Sequence, residues 1–77
     1  MMNYEKAMER ARGLNKEGVL TLFECLDEGQ REGLRSKVIS TLYDRVQCRE
    51  LGIDYVNVGL VDMARSYVFH AYMAGMF

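Results

Sequence analysis

Apolar residues recur three and four positions apart along most of this chain, which is the spacing of one helical face. Tyr4, Ala7, Met8, Ala11 and Leu14 predict a first helix, with Glu5, Lys6 and Glu9 off that face. Asn3 is placed to cap it, because an Asn side chain can accept an otherwise unpaired backbone N–H. Gly13 and Asn15 punctuate its end, and Asn15 caps a second helix carrying Val19, Leu22, Phe23 and Leu26. Asp27, Glu28 and Gly29 read as the next break. A long third helix follows, with Leu34, Val38, Ile39, Leu42 and Val46 on one side and Gly52 as a left-handed stop.

Beyond Gly52 the pattern changes. Asp54 and Asn57 are alternative caps for a last helix, while Ile53 to Val58 is rich in β-branched residues and has the composition of a short strand. Elsewhere the sequence offers no second strand to pair with it. On a last helix, Val56, Leu60, Met63, Ala64, Tyr67, Val68 and Ala71 fill one broad face. Small residues at Ala64, Ala71 and Gly75 suit a close helix–helix seam. A second apolar group, Val58, Phe69, Met73 and Met76, falls on the opposite side among Asp62, Arg65, Ser66 and His70. A helix apolar on both sides needs neighbours on both sides.

The expected fold is therefore all-α: one domain spanning residues 1–77, an antiparallel bundle of three or four helices with a central, highly apolar C-terminal helix. The helices are expected at about 4–14, 16–28, 30–51 and 55–75. Short loops favour antiparallel neighbours.

Charge sharpens the picture. The first 52 residues hold eighteen formal charges, and the last 25 hold only Asp54, Asp62 and Arg65. A domain this small buries only about 60% of its unfolded surface. Two occupants fit the second apolar side of the last helix. Either the amino-terminal helix folds over it, or it forms an interface through Val58, Phe69, Tyr72, Met73 and Met76. The interface is the reading adopted, with a symmetric homodimer as the expected assembly.

Arg31, Arg35, Arg45 and Arg49 fall on nearly one side of a continuous third helix, with Val38 and Leu42 between the pairs. Three roles suit such a stripe: stems covering apolar edges, polar anchors of a protein interface, or forks for phosphate. A net charge of −1 and the neighbours Glu32, Asp44 and Glu50 disfavour nucleic acid. The Leu22–Leu42 region has the outline of a helix–turn–helix, yet any two-helix hairpin shares that outline.

Little chemistry accompanies these surfaces. Cys25, Cys48 and His70 are too widely spaced in sequence for a recognisable zinc site, and two cysteines make no disulfide framework. One histidine cannot supply the paired Glu-x-x-His steps of a di-iron bundle. No phosphate-binding glycine loop occurs, and Glu9, Glu17, Glu24 and Glu28 read as solvated faces. The amino terminus lacks an apolar signal core, and the longest uncharged run, Ser66 to Phe77, is shorter than a membrane span. The sequence thus predicts a soluble, cytoplasmic, non-enzymatic interaction protein without metal or cofactor that docks on a larger macromolecular partner. A small inhibitor or accessory factor of a mobile element fits that class. The second reading is a dimeric nucleic-acid-binding regulator that uses the arginine stripe.

Overall fold

The computed structural model describes residues 4–77, so the expected Asn3 cap lies outside the described residues. Five helices follow in order: α1 Tyr4–Gly13, α2 Lys16–Glu24, α3 Glu28–Leu42, α4 Arg45–Leu51 and α5 Leu60–Met73. There is no strand among the described residues, and Ile53 to Val58 runs as an irregular connection.

Local hydrogen bonds explain where each helix begins. Asn15 Oδ1 accepts the Gly18 N–H at 2.7 Å, which opens α2 where the sequence predicts it. Asp27 and Gln30 form a reciprocal box: Asp27 Oδ1 accepts from Gln30 N at 2.7 Å, and Gln30 Oε1 from Asp27 N at 3.0 Å. Asp27 is thus a cap rather than part of α2, and Gly29 sits inside the first turn of α3.

The expected continuous helix over 30–51 is two helices. Asp44 takes an extended conformation (φ −98°, ψ 102°), and its Oδ1 accepts the Gln47 N–H at 3.1 Å. A short side-chain acceptor here offers backbone amides an alternative to the continuing ladder, so α3 ends at Leu42 and α4 starts afresh. The new direction lets α4 bury Cys48 and Leu51 but turns Val46 outward. The stop at Gly52 is as predicted. Its φ is +72°, and Ile53 N bonds back to Cys48 O at 2.8 Å, closing the helix end.

The last helix starts five residues later than predicted, because Asp54 caps a turn instead. Its Oδ1 accepts from Val56 N at 3.0 Å and Asn57 N at 3.1 Å. Asp62, in the first turn of α5, clamps the connection from the other end. Oδ1 accepts from Asp54 N at 3.1 Å, and Oδ2 from Gly59 N at 2.9 Å. Val56 and Leu60, expected on the core face, are consequently exposed.

α5 packs against α1, α2 and α3, and α4 closes the bundle against α1 and α3. One core cluster joins Ala7, Met8 and Ala11 of α1 to Cys48, Leu51 and Ile53, and to Val68, Phe69 and Tyr72 of α5. A second joins Leu26, Leu34 and Val38 to Ala71, with Met63 and Tyr67 beside them. Ala64 and Ala71 are fully buried, as expected of small residues at a close seam.

Candidate functional site

Both apolar sides of α5 are occupied within the chain. Phe69 is 1% exposed and Tyr72 8%. The Tyr4 ring meets Phe69 edge-on at 5.3 Å between centroids, and the Arg10 guanidinium lies 5.8 Å from the Tyr72 ring. Met73 packs on the same cluster. The surface expected at Val58, Phe69, Tyr72, Met73 and Met76 is therefore not presented as a patch. Val58 and Met76 are partly exposed, while Phe69 and Tyr72 serve the core. The reason is α1: its inward residues at Ala7 and Ala11 are small enough for that helix to lie close over α5.

Large apolar side chains are exposed elsewhere. The break between α3 and α4 puts Tyr43 at 86% exposure and Val46 at 63%, and the connection to α5 leaves Val56 at 75%. Tyr55, also exposed, is tied to the start of α4 by the Arg45 guanidinium, 5.5 Å from its ring centroid. Arg45 thus joins two segments into one corner. Sequence reading missed Tyr43, Tyr55 and Val56 as surface groups. The available signal was the dipeptide Tyr43–Asp44, a helix-capping acid just after the last core-facing Leu42.

The arginine stripe does not survive the break. Arg31 lies over the Phe23 ring at 5.1 Å, and Arg35 Nη1 is 3.8 Å from Glu32 Oε2 in an exposed pair. These two belong to α3, whereas Arg45 and Arg49 belong to α4. Arg49 is exposed and makes no hydrogen bond or ion pair among the described residues.

Arg65 is the cation that the structure uses most. Nη1 donates to Leu51 O at 3.2 Å and Nη2 to Leu14 O at 3.4 Å. It thereby ties the carboxyl-terminal ends of α1 and α4, where the helix dipole favours a positive charge. Gly52 is the residue that permits this. A Cβ there would lie 2.6 Å from Arg65 Nη1, on top of the cost of a positive φ.

The remaining reactive groups are enclosed or separate. Cys25 is exposed and Cys48 buried, and no three His, Cys, Asp or Glu residues gather as a metal site among the described residues. Burial, reinforced by the Asp44 and Asp62 charges, pushes the Cys48 thiol pKa up. It stays protonated and donates to Thr41 O at 3.2 Å. His70 Nε2 lies 2.7 Å from the hydroxyl of buried Thr41. Burial, then the Lys37 charge, lowers the His70 pKa, partly opposed by a hydrogen bond to the Lys37 backbone. The pair bridges α3 and α5 inside the bundle, where a substrate has no approach to the hydroxyl. The Ser66 hydroxyl is buried without a partner among the described residues, a small local cost where α5 crosses its neighbours. A shallow, open depression beside Glu32, Arg35, Ser36 and Ile39 is lined by α3 alone. No helix among the described residues is long and apolar enough to cross a membrane.

Comparison with family models, with curated proteins and with solved structures finds no match to this chain.

Proposed function

We propose that this chain is a non-enzymatic docking module that holds a larger protein through the corner between α3, α4 and the connection to α5. It acts by occupying a surface of that partner, as a small inhibitor or accessory factor does. The supporting observation is the placement of Tyr43, Val46 and Val56, all more than 60% exposed, in a chain whose most apolar helix is already covered. Exposed aromatic and aliphatic side chains on two segments that the Arg45–Tyr55 contact ties together have the composition of interface hot spots.

Self-association is a separate proposal. Its original motive was an uncovered face on α5, which α1 now covers. Light scattering across a dilution series tests it: a dimer that persists on dilution supports it, and a monomer throughout removes it.

The docking reading is tested by photo-crosslinking in cells that make the chain. A benzophenone side chain at position 43 or 56 should capture one discrete protein, while the same group at Glu9, on the exposed side of α1, should not. Equal capture from both places, or capture of nucleic acid from the corner, would sink the reading. The nucleic-acid alternative would then take its place.

A further inference from the structure

The corner has an electrostatic bias that its composition hides, and this inference rests on the docking reading above. Four carboxylates lie close by in sequence; half-buried Glu50 is one, and the other three are committed to backbone amides. Asp44 accepts from Gln47 N, and Asp54 from Val56 N and Asn57 N. Asp62 accepts from Asp54 N and Gly59 N. Asp44 and Asp62 also sit at helix starts, where the partial positive charge of the helix offsets theirs. The two arginines are not so engaged. Among the described residues, Arg45 has only the Tyr55 ring and Arg49 has no partner. They stand one helical turn apart on α4 and flank the exposed Val46.

We propose that the occupant of this corner is an acidic, apolar-faced segment of a partner protein: large apolar side chains for Tyr43, Val46 and Val56, and carboxylates for Arg45 and Arg49. Residues one turn apart on a helix have Cβ atoms about 5–6 Å apart, so a partner helix with acids at i and i+3 or i+4 matches the arginine pair. Arginine forks hold carboxylates in two-point contacts that ammonium groups cannot make. A second copy of this chain is the poorer occupant. In a two-fold interface a patch meets itself, which would set Arg45 and Arg49 against their own equivalents.

The experiment is selection of a random displayed peptide library on the immobilised full chain, followed by titration of the selected peptides as synthetic copies. The expected result is enrichment of peptides with two Asp or Glu at helical spacing beside large apolar residues. Their affinity should fall about tenfold or more with Arg49→Gln, equivalent to about 1.4 kcal/mol, and fall further with Arg45→Gln added. Arg49→Gln removes no hydrogen bond or ion pair among the described residues, and an unchanged circular dichroism melt shows that the variant is folded. Peptides that carry no acids, ignore Arg49→Gln and are lost with Tyr43→Ser plus Val56→Ser would overturn the acidic occupant and leave docking standing. Failure to enrich any peptide sensitive to either set of substitutions would overturn both. A short DNA duplex bound more tightly than any peptide and released by Arg49→Gln would replace the carboxylate with phosphate.

Discussion

α5 and the corner from Tyr43 to Leu60 both carry many apolar residues, yet α5 buries most of its own, whereas the corner buries Cys48, Leu51 and Ile53 and leaves Tyr43, Val46, Val56 and Leu60 exposed. α5 is the more apolar of the two, but hydrophobicity is not the whole difference. α5 keeps its period for fourteen residues, long enough for α1, α2 and α3 to find matching faces. In the corner, Asp44 and Asp54 take up backbone amides, Asp62 clamps the connection from the first turn of α5, and the period is interrupted before a face is complete. Apolar residues there end up where the turns put them. Short polar side chains, rather than missing apolar ones, decide which side chains stay outside.

The contrast is broken most directly at Phe69. Phe69→Ala should cost about 3–5 kcal/mol, a large share of what stabilises a domain of this size, and chemical denaturation would read it as a collapse of the midpoint. Gly52→Ala should come next. A non-glycine residue at positive φ costs about 1–2 kcal/mol, and the displaced Arg65 guanidinium adds to this. In an Arg65→Met background the same substitution should cost less. A double-mutant cycle with no coupling would show that the two do not meet as described.

Acid gives a third comparison. His70 has a folded-state pKa below the ordinary value of about 6.5, so the unfolded chain binds its proton more readily. The stabilisation from keeping the ring neutral is complete above the ordinary imidazole pKa. It declines as pH falls through that range toward the folded value, and then levels off. Thermal melts should show this slope, and His70→Gln should remove it. The smallest effect belongs to the corner: Val46→Ser and Val56→Ser should each change stability by less than about 0.5 kcal/mol. A larger loss in either would mean that the corner is packed and not a free surface.

The all-α class and the central last helix were legible because Val19, Leu34, Val38, Val68 and Ala71 obey one period and find burial together. The caps at Asn15 and Gly52 were legible for a similar reason, since each depends on a single residue type at a boundary. The break at Asp44 was not. Val46 and Arg49 continue the helical register across it, and periodicity carries no information on whether a cap has been inserted. The expected patch on α5 failed for a different reason. The sequence shows that Phe69 and Tyr72 need cover, but which helix supplies it is a matter of tertiary geometry. Arg65 was invisible as a structural group because its acceptors are backbone carbonyls, which carry no signature of their own.

Arg65 and the position of α5 also bear on the order of events during synthesis. Arg65 leaves the ribosome after both α1 and α4, and it adds a second tie between their ends to the direct bond from Arg12 Nη1 to Glu50 O. The clusters around Met8 and Leu34 are likewise completed by residues of α5. The growing chain therefore holds α1 to α4 with only part of their common interior until α5 emerges. Closure of both clusters waits for α5, and a chain cut before Phe69 lacks the residues that complete them.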